Sequence, residues 1–330
     1  MGAIAKMSGR PRVHGFVGFD PVRAILYQHD YNPAGGTALP PIDPHTLVRD
    51  AVSKHGFLGV KLYPPMGFRA LNNGKGDITF SQNVKTYVAV ALAKPDNTIS
   101  DKEVGDLIDA ELKKLYRYCA DEGVPILAHA FNSNQAEACT GWRASPQYWG
   151  EVIDEFSTAD KPLRLCLGHF GSFSAHEKFK ACSDFDAKAW EIIIGSILAK
   201  PGGKFVFADL SYLSEVLDQD DGAPARRAKM RDQFKSFIAS YDQKVEHICY
   251  GSDWNMLGRE PGHQRYHIAL GDFLRKDVGL DAAKLANIYS GNAIRFLGLR
   301  PGDKGRERLE KFYQDNHIQQ YFPKIDPLVG

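Results

Sequence analysis

The chain has 330 residues, 43% of them hydrophobic and 25% charged, with a formal net charge of +1. That length suits one large core or two modest ones. Lys and Arg are interleaved with nearly as many Asp and Glu, which leaves no electrostatic footprint for nucleic acid or an anionic membrane surface. The sequence has no apolar run of the roughly 18 residues needed to span a bilayer.

The N-terminal stretch MGAIAKMSGR lacks the apolar core of a signal peptide, and Lys6 stands where a myristoylation signal wants Ser or Thr. The five cysteines, Cys119, Cys139, Cys166, Cys182 and Cys249, are odd in number and unpaired in spacing. Two of them sit inside strand-like runs, so reduced, mostly buried thiols in a cytoplasmic setting are expected.

In chain order, short apolar runs of strand length recur, each ending in Gly or a polar residue. They are VHGFVGFDP from Val13, GFLGVKLYPP from Gly56, GVPILAHAFN from Gly123, LRLCLGHFG from Leu163, KFVFADLS from Lys204 and HICYGSDWN from His247. Longer amphipathic segments lie between them. In the clearest, Val104, Leu107, Ile108, Leu112, Leu115, Tyr116 and Cys119 recur at three- and four-residue steps. Ser100 and Glu103 can form a capping box at its start, and Gly123, followed by Pro125, supplies a stop.

Strands alternating with helices predict an α/β fold with a parallel sheet. A closed (β/α) barrel and an open doubly wound sheet compete. No GxGxxG or GxxxxGK[ST] follows any of the strands, which favours the barrel. The stretch NPAGGTALPPIDP and the segment from Pro64 to Ile99 read as loops elaborating one domain, residues 1–330, with 300–330 as a C-terminal helical tail.

In a (β/α) barrel the active site gathers at the C-terminal ends of the strands. Those ends carry Lys61 and Tyr63, His129 and Asn132, His169, and Asp253. Taken singly each has an ordinary reading: Asp253 as a turn former or helix cap, His129 as a hydrogen-bonded core histidine, His169 as a turn residue. Four strands delivering such groups to one end favours a site. Imidazoles from separate strands can converge on a divalent cation, which lowers the pKa of bound water, while a carboxylate adds charge and takes a proton. A histidine that is not a ligand can orient water or polarise a carbonyl.

The runs PILAHA, CLGHFG, YGSDWN and YSGNAIRFLGL resemble the later strands and terminal helix of the amidohydrolase superfamily, specifically its amidohydrolase-related branch of metal-dependent hydrolases and nonoxidative decarboxylases. The resemblance extends from about Val13 to about Leu299 and implies a (β/α)8 TIM-barrel-like fold. It makes His129 the strand-five metal ligand, His169 the strand-six histidine and Asp253 the strand-eight aspartate. Lys61 falls at the strand-four end, where some members carry a carboxylated lysine. A cation facing an anionic substrate, or a satisfied loop lysine, is an equal reading of it. The family's HxH pair on strand one has no counterpart in this sequence. Val13 to Asp20 resembles strand three, so about six strands are recognisable. A truncated chain, ligands from a partner and a decayed site are all open explanations, with His14 and His29 as substitutes by residue type alone.

The resemblance implies a metal-dependent hydrolase of a carbonyl-containing small molecule, an amide, ester or lactone. Zinc, held in part by His129 and Asp253, would activate water. His169 would stabilise the oxyanion, Asp253 would shuttle the proton, and Lys61, Tyr63, Arg69, Asn132 and Trp254 would contact substrate. A nonoxidative decarboxylase, with Arg69, Arg143 and Arg164 as carboxylate clamps, is the alternative enzyme. A non-catalytic barrel module is the alternative from another class. A barrel short of two βα units would expose two edges. Either the tail, with Leu309, Phe312 and Tyr313 on one helix face, or self-association into a homo-oligomer is expected to cover the gap.

Overall fold

The computed structural model describes residues 12–29, 42–132, 136–137, 139–172, 189–323 and 325. The readings at Lys6, at Cys182 and for most of NPAGGTALPPIDP lie outside these residues. Six strands form one sheet in sequential order: β1 (Phe16–Gly18), β2 (Gly59–Leu62), β3 (Ile126–His129), β4 (Leu165–Gly168), β5 (Val206–Asp209) and β6 (Ile248–Cys249). Every neighbouring pair is parallel. Helices connect the strands: α1 (Pro21–Gln28), α2 (Pro44–Lys54), α3 (Asp101–Glu122), α4 (Gln147–Phe156), α5 (Trp190–Leu198) and α6 (Ala223–Tyr241). After β6 come the short α7 (Trp254–Leu257), α8 (Asn292–Leu297) and α9 (Lys304–Asp315). This is the α/β, TIM-barrel-like order expected, with six strands.

Local chemistry sets these elements where the pattern predicts. Both halves of the Ser100–Glu103 capping box are present, and α3 stops at Gly123, whose φ of 59° is left-handed. Val104, Ile108, Leu112, Leu115, Tyr116 and Cys119 are buried along one stripe of α3. Along the strands the side chains alternate between two packing environments, as a pleat requires. Val60, Leu62, Ile126, Ala128, Leu165, Leu167, Val206, Ala208 and Ile248 pack in the large core under the helices. Cys166, Phe207 and Cys249, with Phe16 and Leu127 beside them, form a separate cluster on the other face. Lys61, His129 and Asp209 continue that second face by strand alternation, towards the ends of β2, β3 and β5.

This inner cluster is completed from the far end of the sequence. Phe296 of α8 stacks on Phe16 with centroids 6.0 Å apart and planes 6° apart, and lies 5.9 Å from the ring of Phe207. Asn292 anchors α8 by donating to the carbonyls of Val245 (3.0 Å) and Ile248 (2.7 Å), and Arg295 donates to the Glu246 carbonyl. The Asn and Arg of GNAIRFLGL therefore satisfy backbone acceptors around the start of β6.

The tail occupies a different place from the one expected. Leu309, Phe312 and Tyr313 are buried in α9, as the pattern predicts. The helix, however, packs against α2 and the segments that precede β1, β2 and β3. Gly56, with a φ of 71°, lies so close to the Phe312 ring that a Cβ there would come within 2.8 Å of it. The reach across the inner face belongs to Phe296, because α8 is the element tied directly to β6.

Cys119, Cys166 and Cys249 are buried free thiols, as expected of strand and helix-core positions. Cys139 corrects the expectation of uniformly reduced cysteines: it is exposed on a loop and disulfide-bonded. A loop thiol can meet another, whereas the strand thiols are held within the core. No helix among the described residues is long and apolar enough to cross a membrane.

Candidate active site

The C-terminal ends of β2 to β5 bring Lys61, His129, His169 and Asp209 to one face, and Asp253 follows β6. His129 is 4% exposed, and its Nδ1 lies 3.1 Å from Nε2 of His169, with the rings edge to face. The Tyr63 ring also packs on His129, its centroid 4.5 Å away. Burial pushes the His129 pKa well below the usual imidazole range, and the neighbouring His169 and Lys61 add to that direction. His129 is therefore held as a neutral imidazole. Burial also lowers the Lys61 pKa, opposed by Asp209, Cys166 and Asp253.

His169 begins an unusual turn. His169, Phe170 and Gly171 have φ values of 68°, 48° and 68°, all left-handed. Such backbone persists in non-glycine residues only where the surroundings enforce it. Phe170 supplies one anchor, being 1% exposed and packed 4.7 Å from Phe237. Asp209 supplies another, accepting the His169 amide at 3.0 Å. Asp253 is strained in the same way, with a φ of 47°, and stands in the N-cap position of α7. Its side chain accepts no capping hydrogen bond, so the cap reading fails there.

A cleft of about 280 Å³ opens at the ends of β1 and β2, with Asp20 and Arg23 on its wall. Lys61 and Tyr63 line it together with the apolar Phe19, Leu47, Met66 and Phe68.

The structure gathers Lys61, Tyr63, His129 and His169 as the strand-end pattern predicts, and it sets the arginines elsewhere. Arg69 is 2% exposed and ion-paired with Asp77 at 2.7 Å, with its guanidinium over Tyr148. Arg143 donates to the carbonyls of Gly67 and Thr79. Arg164 precedes β4, at the opposite end of the strands, and pairs with Asp303 at 2.9 Å. These contacts make the three arginines ties between segments. Asn132 is buried at 5% exposure, whereas Trp254 is 79% exposed, and neither lines the cleft. His14 also lies before its strand, bonded to the Gly56 carbonyl and the Tyr313 hydroxyl, and His29 is exposed beyond α1. Neither replaces the HxH histidines.

Sequence reasoning does not single out Asp209 and Ser211. The strand-end rule itself would find Asp209, since FADLS closes the fifth strand as AHAFN closes the third. A carboxylate before Leu-Ser reads equally well as a turn former, which conceals it.

Two imidazole nitrogens bound to one cation at ~2.1 Å with a near-tetrahedral angle lie about 3.4 Å apart, within a few tenths of an ångström of the His129–His169 separation of 3.1 Å. The pair therefore fits a metal as two of its ligands. Among the described residues no group of three or more His, Cys, Asp or Glu side chains is placed to hold one. These residues alone do not complete a metal site.

The chain matches the amidohydrolase family model over residues 19–299 and belongs to that family. No curated protein matches the sequence. Three solved structures resemble it at low identity. An amidohydrolase from Burkholderia multivorans with bound HEPES has a TM-score of 0.46 and 13% identity over 88% of this chain and 75% of that one. A protein from Lactobacillus casei, assigned as a metal-dependent hydrolase, has a TM-score of 0.48 and 14% identity over 94% and 67%. One from Pseudomonas putida, assigned as a 2-pyrone-4,6-dicarboxylic acid hydrolase, has a TM-score of 0.33 and 14% identity over 87% and 97%.

Proposed function

We propose that this protein hydrolyses a carbonyl-containing small molecule, an amide, ester or lactone, at the C-terminal face of its strands. The observation that carries the reading is the convergence of His129 and His169 from adjacent strands, beside a cleft that delivers Lys61 and Tyr63 to the same place. The neutral His129 keeps a lone pair available. In our reading His169 turns its Nε2 lone pair towards the reacting centre, and the uncapped Asp253 carboxylate takes a proton from water. The cleft walls, apolar apart from Asp20, Arg23 and Lys61, would hold the body of the substrate. Family membership adds a divalent cation, zinc in our reading, which when bound lowers the pKa of water and polarises the carbonyl. His129 and His169 would supply two of its ligands; Asp253, the carboxylate expected from the sequence, does not join them in a group of three among the described residues.

The decarboxylase reading has less support, because Arg69, Arg143 and Arg164 are committed to other partners. The test is turnover of p-nitrophenyl acetate and dihydrocoumarin by the purified full chain, with zinc content measured by elemental analysis. The expected result is turnover that depends on retained zinc and is lost in His129→Ala. A chain that retains no zinc and hydrolyses neither compound would overturn the reading.

A further inference from the structure

A single carboxylate oxygen organises the turn that presents His169. Asp209 Oδ1 accepts the backbone N–H of His169 at 3.0 Å and that of Ser211 at 2.9 Å, tying the turn after β4 to the turn after β5. Ser211 in turn faces the imidazole. Its carbonyl oxygen lies 3.2 Å from His169 Nδ1, and its hydroxyl lies 3.1 Å from the same nitrogen. A carbonyl oxygen can only accept and a hydroxyl oxygen can accept too, so a hydrogen on Nδ1 is the neutral form that satisfies both contacts at once. The lone pair is then left on Nε2, the nitrogen 3.1 Å from His129.

The surroundings are shaped for this carboxylate. A Cβ at Gly251 would come within 3.0 Å of Asp209 Oδ1 and of the Ser211 Cβ, so a larger residue after β6 would crowd both. On the other side Gly168 leaves room, the place of its missing Cβ being 3.7 Å from Asp209 Oδ2. Cys166 Sγ lies 4.0 Å from that same oxygen.

We propose that Asp209, acting through Ser211, is a positioning residue that locks His169 in the Nδ1–H tautomer and aims its Nε2 lone pair at the reacting centre. The carboxylate does not touch substrate. It holds two backbone segments in register, and the Ser211 carbonyl selects the tautomer, as an outer hydrogen-bond partner commonly does for a working imidazole. The proposal rests on the reading of His169 as a functional group, but its test needs no turnover, so the two can fail separately.

The experiment is long-range ¹⁵N–¹H correlation NMR on the full chain cleared of metal with EDTA, at a pH where the ring is neutral, with the His169 signals assigned by their loss in His169→Gln. Wild type is expected to show the Nδ1–H tautomer alone. Asp209→Ala should lose that single state and show both tautomers. Asp209→Asn, which keeps an acceptor oxygen in place, should restore it, and Ser211→Ala, which keeps the carbonyl, should retain it. Should Asp209→Ala fail to fold, Gly251→Ala provides the same displacement by crowding. A wild-type spectrum dominated by the Nε2–H tautomer would overturn the proposal. So would an Asp209→Ala or Gly251→Ala protein that is less stable but keeps the wild-type tautomer, since a merely structural role would leave the ring unchanged.

Discussion

His129 Nδ1 and His169 Nε2 stand 3.1 Å apart across two adjacent strands, although 40 residues separate them in the chain. The separation suits a shared cation as well as a hydrogen bond. Each histidine should therefore contribute comparably to metal affinity. Cobalt(II) titration followed by visible absorption is expected to weaken by about tenfold or more in both His129→Ala and His169→Ala. A His169→Ala protein with unchanged cobalt affinity would assign that ring to catalysis alone.

Asp253 sets stability against activity. Its left-handed backbone is one that glycine adopts without strain, and its side chain caps nothing. Asp253→Gly is expected to cost no stability, or to add up to about 1 kcal/mol, in a denaturant titration. Hydrolysis in the same protein should be abolished, because the carboxylate is gone. Retained turnover would remove Asp253 from the chemistry.

Arg164 predicts the opposite pattern. The guanidinium pairs with Asp303, donates to the Arg295 carbonyl and lies over Phe205 at 4.5 Å, all remote from the strand ends that carry the histidines. Arg164→Ala should lower unfolding free energy by about 3 kcal/mol, as expected when one partner of a largely buried pair is removed. The KM of the folded fraction should not change. A large KM increase at constant stability would restore Arg164 as a substrate clamp.

The pH dependence of stability should carry a signature of His14. Burial lowers its pKa from 6.5, opposed by the hydrogen bond to the Gly56 carbonyl. In the unfolded chain the ring takes a proton at 6.5, and in the folded chain only at lower pH. The unfolded state thus binds more protons in that window, so His14 contributes stability that is present above pH 6.5 and is lost as the pH falls below it. Thermal melts of His14→Gln should show a shallower acid-side decline than wild type. Equal slopes would show that the ring titrates alike in both states.

Much of this arrangement is legible in the sequence because it is local. A capping box, a stripe of apolar residues and a polar group closing an apolar run need only a few neighbouring positions, so α3 and the ends of β2, β3 and β4 can be read directly. The arginines are not legible in that way. Arg69, Arg143 and Arg164 have the composition of clamps, and only the path of the chain reveals that their guanidinium groups meet Asp77, Gly67 and Asp303. His14 is the extreme case, since its hydroxyl partner Tyr313 lies 299 positions away. Asp209 is hidden for another reason: the strand-end rule reaches it, but a carboxylate before Leu-Ser reads equally well as a turn former, and its two amide partners leave no mark on the residue pattern.

Phe296 also sets an order of events during synthesis. The rings that it joins, Phe16 and Phe207, are made long before it. Until α8 has left the ribosome, both aromatics lack their partner, and the first strand's inner face remains open to other apolar chains. Contacts that close so large a stretch of sequence form slowly. Nascent chains halted before Phe296 should therefore be the ones that chaperones retain, and Phe296→Ala, expected to lose about 3–5 kcal/mol as a buried aromatic truncation, should lower soluble yield even where the purified protein is folded. Maturation is expected to wait on one ring of a late helix rather than on completion of the last strand.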